Sequence, residues 1–310
     1  DVVTHHPLEV VVWTNEEGAR FTPAMMGSAA FTGLLAKQKV YDSTDKQGVS
    51  VYSELLRTGQ LGELPLARPF QAYYEAHIEQ GPVLENNQIS IGVVTGGQAI
   101  LWLDVETRGK AAHAGTTPMY MRKDTMVGTA AMIAELERTI RKCFPEGLVT
   151  IGEMQVANSS RNTIPGQIQW TIDLRNPNDA ALKQMEVETR HVLQSLAEQH
   201  DLEISISEHW FSPATYFDAT CVETVQKAVD FLGYSNQTIV SGAGHDAINI
   251  AKHCPTTMIF IPCIDGLSHN EAEDVYALDA AQGADVLLNA ILNYDAKQAT
   301  TTATQCAEAV

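Results

Sequence analysis

Between Gly97 and Phe211 the apolar residues switch back and forth between two periods, and few folds satisfy that order. Ala99–Arg108 reads as a strand, and Gln167–Arg175 alternates cleanly, with Ile168, Trp170, Ile172 and Leu174 on one face. Leu148–Val156 and Leu202–Trp210 read as two further strands. Between them, Asp124–Cys143 carries Met126, Ile133, Leu136 and Ile140 at helical spacing. Asn178 is a good N-cap for a second helix running to about Gln199, with Leu182, Met185, Val192, Leu193 and Leu196 inward. The order is βαββαβ, a split-βαβ sandwich in which two helices cover one face of a sheet. It predicts an independent module over residues 98–211, inserted into a chain of different style.

The flanking parts read as α/β. Val10–Thr14 is a short β-branched run and predicts a buried strand that stops at the acidic pair Glu16–Glu17, with Gly18 behind it. Further buried strands are expected near Ile89–Val94, with a break at Gly96–Gly97, then at Thr238–Val240 and Thr256–Pro262. Helices are expected at Val51–Arg57, Ala219–Leu232 and Leu278–Tyr294. At 310 residues the chain suits two domains. One is discontinuous, over 1–97 and 212–296; the other is the insertion at 98–211; the polar tail 297–310 is expected to be disordered. The chain begins at Asp1 rather than Met, just ahead of an apolar run, so an N-terminal portion is expected to be absent.

A net charge of −18 disfavours nucleic acid and anionic membranes as partners, because phosphate binding needs a basic face. It leaves room for a small anionic substrate captured by a local Arg. No apolar run is long enough to span a bilayer. The five cysteines, Cys143, Cys221, Cys254, Cys263 and Cys306, are odd in number and widely spaced, with no C-x-x-C. They read as reduced thiols of a cytoplasmic protein.

In open α/β sheets ligands gather beyond the carboxyl ends of strands, where Glu16 and Glu17 are expected to sit. Two adjacent carboxylates repel unless a cation or a proton offsets them. Either one Glu ligates a metal while the other acts on its water, or both belong to a solvated loop. His77 and His269 also fall at the ends of apolar runs, and carboxylate plus imidazole is a ligand set for zinc, manganese, cobalt or nickel. Taken singly, each His is as well explained by a structural hydrogen bond. His5 and His6 precede the first run and, at about 3.3 Å per residue, lie a strand's length from the acidic pair; they read as loop residues. In the insertion, His113, Asn162 and Arg175 stand out. Arg175 is on the polar face of its strand, where it is either solvated or offers a bidentate fork to a carboxylate, with Asn162 adding an amide donor.

These residues lie in TNEEGARF, EAHIEQGPVLE, HAGTTPM, RNTIPG, DLR, SGAGHDA and DGLSHNEAE. In that order the motifs resemble the M20-type metal-dependent amidohydrolases, in the branch of the N-carbamoyl-L-amino-acid hydrolases, β-ureidopropionases and allantoate amidohydrolases. The resemblance spans about Val10 to Glu273. It implies a zinc-exopeptidase-like catalytic α/β domain holding two divalent metal ions, with the insertion serving as a lid that also makes a homodimer. It implies Glu16 as general base, with Glu17 and His269 on one metal and His77 on the other. Gln80 lines the substrate site, Asn162 and Arg175 grip the substrate carboxylate, and His113 binds substrate or polarises the scissile carbonyl. His245 is a pocket-lining candidate. The family's H-x-D motif and bridging Asp have no counterpart in this chain, so incomplete metal occupancy is expected.

The implied activity is metal-dependent hydrolysis of the carbamoyl C–N bond of N-carbamoyl-L-amino acids, giving amino acid, ammonia and CO2. Allantoate amidohydrolysis is the alternative within the family. A metal-poor, non-catalytic binding or dimerisation protein is the alternative of another class.

Overall fold

Period-two alternation becomes a strand only where a neighbouring strand takes up the backbone hydrogen bonds. In the computed structural model, which describes the backbone of residues 2–308 and the side chains of residues 2–298, this separates the realised strands from the merely apolar runs. The chain divides into two units, Asp1–Gly97 with Thr215–Val310, and Gln98–Ala214.

The first unit opens with α1 (Met26–Phe31), α2 (Lys37–Asp42) and α3 (Val51–Thr58), then β1 (Tyr73–Ile78), α4 (Val83–Asn86) and β2 (Ile91–Gly97). The Val10–Thr14 run is not a strand. No described strand pairs with it, and Val10 and Val12 stay at least 90% exposed. Trp13 alone turns inward, onto Phe31 and Tyr73. The glycine pair expected to break the next strand instead completes β2. A Cβ at Gly96 would lie 2.0 Å from the Thr215 carbonyl oxygen, so glycine is what lets the next strand approach.

The second unit runs β3 (Ala99–Arg108), β4 (Ala112–His113), α5 (Thr125–Cys143), β5 (Leu148–Thr150), β6 (Met154–Val156), β7 (Thr163–Ile164), β8 (Gln167–Asn176), α6 (Asp179–Gln199) and β9 (Glu203–Ser212). The order β5-β8-β3-β9 is antiparallel throughout, and β6 also pairs with β8. The single strand expected over Leu148–Val156 is thus two short ones. Asp124 caps α5 through the Met126 and Val127 amides, and Asn178 caps α6 through Ala181. The inward face of β8 (Ile168, Trp170, Ile172, Leu174) packs with Met132, Leu136 and Ile140 of α5 and Leu182, Met185 and Leu193 of α6. Each fully buried aliphatic side chain there contributes about 1.5–3 kcal/mol. Trp170 satisfies its indole N–H on Thr107 Oγ1 at 3.0 Å. Met126, expected inward, is exposed in the first turn of α5, and Met132 holds the core position instead.

The chain then returns to the first unit through β10 (Thr215–Tyr216), α7 (Ala219–Leu232), β11 (Asn236–Ser241), α8 (Asp246–Ile250), β12 (Thr256–Ile261) and α9 (Ala277–Glu308). The sheet order is β1-β12-β2-β10, with β11 also on β2; β1/β12 and β2/β11 are parallel. One face (Tyr74, Ile91, Val93, Ile259) packs on α7 and α9. The other (Tyr73, Val94, Met258, Phe260) meets Leu84 and the α8 residue Ala247. Both faces are covered, as a sheet with parallel pairs requires, and the expected α/β class holds. The stretch 297–308, expected to be disordered, continues α9 in its described part. Alanines recur there with no Gly or Pro to break the helix; residues 309–310 lie outside the described backbone. Among the described residues no helix is long and apolar enough to cross a membrane.

Candidate active site

Strand period places Tyr73, Glu75 and His77 on one face of β1, where His77 stands opposite Phe260 of β12. Trp13 Nε1 donates to Tyr73 Oη (3.0 Å), and Tyr73 Oη donates to Glu75 Oε2 (2.8 Å). The Ala247 amide donates to the same carboxylate oxygen at 3.1 Å. Burial, with Asp246 nearby, outweighs the Tyr73 hydrogen bond and pushes Glu75 up to about 6. His77 Nδ1 lies 2.8 Å from the Ile78 carbonyl oxygen, which only accepts. The proton is therefore on Nδ1, and Nε2 keeps its lone pair.

Beneath His77, at 4.6 Å between ring centroids, lies His245. It is fully buried, with Nε2 2.9 Å from Ser241 Oγ. Its Nδ1 has no hydrogen-bond partner among the described residues and is 3.9 Å from Glu75 Oε1. Burial, and then the neighbouring His77, push His245 down to about 3.

Glu16 is half-buried. Burial first, then the charges of Glu17 and Asp246, raise its pKa, while His77 and His269 oppose the rise. Glu17 Oε2 and His269 Nε2 are 3.4 Å apart, both largely exposed. The loops that present these groups are held in left-handed backbone, at Asn15 (φ 55°), Gln80 (φ 59°) and His269 (φ 55°). Such conformations are uncommon without glycine and persist where neighbours over-determine them. Asn15 Nδ2 donates to the carbonyls of Phe21 and Pro23, Gln80 Nε2 donates to Ser268 Oγ at 2.8 Å, and the His269 amide donates to Glu273. Gly18 (φ 70°) turns the chain where a Cβ would press on Ala24 at 2.8 Å. His5 and His6 sit elsewhere, their amides donating to Asp295 of α9.

In the second unit, β4 pairs with β7 so that His113 faces Thr163, next to Asn162. The Asn162 carbonyl accepts from the Ala114 amide at 2.8 Å, and its Oδ1 accepts from Ser160 Oγ at 2.9 Å. His113 Nδ1 accepts the amides of Gly115 (3.1 Å) and Thr116 (3.2 Å), so its proton is on Nε2. Arg175, on the polar face of β8, engages Asp173 in a forked pair: Nε to Oδ1 at 3.0 Å and Nη2 to Oδ2 at 2.7 Å. Thus Glu16, Glu17, His77, His269 and Gln80 belong to one unit, where Glu17 meets His269 and Gln80 meets the neighbouring Ser268, while His113 and Asn162 meet on one ribbon of the other. The sequence reading missed Glu75 and Asp246. The i, i+2 spacing of Glu75 and His77 was the available signal for the first; for Asp246, only the packing of α8 was informative.

The sequence profile of peptidase family M20/M25/M40 matches residues 1–293. The chain belongs to the M20 peptidase family. It is 43% identical over 293 residues to an N-carbamoyl-L-amino-acid amidohydrolase of Rhizobium meliloti, covering 94% of this chain and 70% of that one. It is 33% identical to an allantoate deiminase of Arabidopsis thaliana, covering 90% of this chain and 59% of that one. A crystal structure of a hydantoinase/carbamoylase family amidase from Burkholderia ambifaria superposes with a TM-score of 0.91 at 49% identity, over 95% of this chain and 71% of that one.

M20 enzymes generally use divalent metals. The donors here are of the right kind: a His77 Nε2 lone pair fixed by the Ile78 contact, and a Glu17–His269 pair within reach of one cation. No group of three or more His, Cys, Asp or Glu is arranged to hold a metal among the described residues. Glu17, His77 and His269 therefore fit as part of a metal centre and do not close one by themselves.

Proposed function

We propose that this M20 chain hydrolyses the carbamoyl C–N bond of N-carbamoyl-L-amino acids, releasing amino acid, ammonia and CO2. The observation that carries the reading is the Glu17–His269 pair, 3.4 Å apart, with the half-buried Glu16 in the same loop as Glu17 and its pKa raised by burial first. The 43% identity to an N-carbamoyl-L-amino-acid amidohydrolase supports the substrate class.

A carboxylate with a raised pKa is a better proton acceptor than an exposed one. Glu16 takes a proton from the attacking water and returns it to the leaving nitrogen as the C–N bond breaks; the carbamate that remains decomposes to ammonia and CO2. Glu17, His77 and His269 would hold the one or two divalent ions, zinc, manganese, cobalt or nickel, which when bound supply Lewis acidity and lower the pKa of water. His113 donates from Nε2 to the ureido oxygen, where negative charge develops. Arg175 and Asn162 bind the substrate carboxylate, and Gln80 lines the site from its contact with Ser268. The second unit serves as lid and homodimer interface of a cytoplasmic enzyme, and it brings Arg175, Asn162 and His113 to the substrate.

The 33% identity to an allantoate deiminase supports allantoate, also a ureido acid, as the second reading. Ammonia release from N-carbamoyl-L-amino acids and from allantoate, with zinc or manganese added, separates them. Faster release from the carbamoyl amino acids is expected, faster release from allantoate favours the second reading, and release from neither contradicts both.

A further inference from the structure

The loop after His113 is clasped by Arg122. Arg122 Nη2 donates to the Ala114 carbonyl at 2.7 Å and Nε to the Thr117 carbonyl at 3.0 Å. Surface arginines are ordinarily solvated or paired with acids. This one is half-buried, and among the described residues no carboxylate pairs with it. Its charge-assisted hydrogen bonds fall on a single loop.

That loop is also what fixes the imidazole. The Ala114 carbonyl that Arg122 takes belongs to the same peptide group as the Gly115 N–H that donates to His113 Nδ1 at 3.1 Å. A cation on the oxygen of a peptide polarises its N–H into a stronger donor. The turn is closed by the Thr117 amide on the His113 carbonyl at 3.2 Å, and a Cβ at Gly115 would already press on the ring at 3.3 Å. Cation, peptide and imidazole form one chain, Arg122 to Ala114–Gly115 to His113 Nδ1.

We propose that Arg122 is a positioning residue that, by clasping this loop, holds His113 in the tautomer with its proton on Nε2. The proposal rests on the reading of His113 as the donor to the ureido oxygen. Without the clasp the loop loses its turn, the two amides leave Nδ1, and the imidazole exchanges between tautomers.

The test is the ring nitrogen-15 spectrum of histidine-labelled protein at about pH 8.5, above the ordinary imidazole pKa, with His113 assigned by its disappearance in H113N. The wild type is expected to show a protonated Nε2 and a bare Nδ1, and Arg122→Ala to show both nitrogens averaged. Turnover in Arg122→Ala should fall severalfold, short of the roughly hundredfold of a donor lost outright, with KM moving far less. Millimolar guanidinium should restore part of it. Arg122→Lys, which keeps the charge but not the rigid planar fork, should fall between and serves if the alanine variant does not fold. A ring spectrum identical to wild type in the folded variant overturns the proposal whatever the activity. Unchanged turnover in H113N overturns instead the role given to His113, while the spectra still decide on Arg122.

Discussion

His77 and His113 are the same residue in opposite states, and backbone contacts alone make the difference. His77 gives its Nδ1 proton to a carbonyl and presents a lone pair; His113 receives two amides on Nδ1 and presents an N–H. Sequence could nominate both, since HIEQGP and HAGTTPM are legible as motifs, but tautomer depends on turns that only the folded loop forms. Buried His245 carries a pH signature. Unfolded, it takes up a proton near the ordinary 6.5; folded, it does so only at about 3. The unfolded state thus binds more protons across that window, so its contribution to stability is whole above about pH 6.5 and is lost as pH falls towards 3. Glu75, pushed up to about 6, works in the opposite direction, so the informative quantity is wild type minus His245→Gln. We expect wild type to lose about 2 kcal/mol more than the variant between pH 7 and pH 5, measured by urea unfolding at each pH.

At the scale of elements, strands formed where partners exist, and hydrophobic pattern alone did not reveal partners. Val10–Thr14 has the composition of a core strand and is exposed chain, whereas the Gly96–Gly97 pair looks like a break and is paired backbone. In the second unit β3, β8 and the two helices were legible, because each buries one face and the period therefore survives in the sequence. What pattern could not show was that Leu148–Val156 forms two pieces, or that Met132 rather than Met126 is buried. Gly96→Ala should force β10 off β2, because its Cβ would fall 2.0 Å from a backbone oxygen, at a cost of about 3 kcal/mol or more. Leu174→Ala, at the fully buried end of β8, should cost about 2–5 kcal/mol. Both are read from denaturant midpoints.

On the scale of the molecule, the two units own separate cores: Trp170 and its neighbours in one, the sheet between α7, α9 and α8 in the other. Residues 98–214 should accordingly fold alone, with a cooperative melt and dispersed amide spectra; a non-cooperative melt would mean that its core depends on the flanking chain. The candidate residues fall in both units, the acidic pair and its two histidines in one and His113, Asn162 and Arg175 in the other. The most direct measurement is ammonia release from an N-carbamoyl-L-amino acid by wild type and Glu16→Gln, each supplied with zinc or manganese, alongside metal content per chain. Glu16→Gln should retain as much metal as wild type and lose turnover by at least about a hundredfold, the scale of a lost general base. Equal turnover in the two proteins would contradict the assignment of Glu16 as the base.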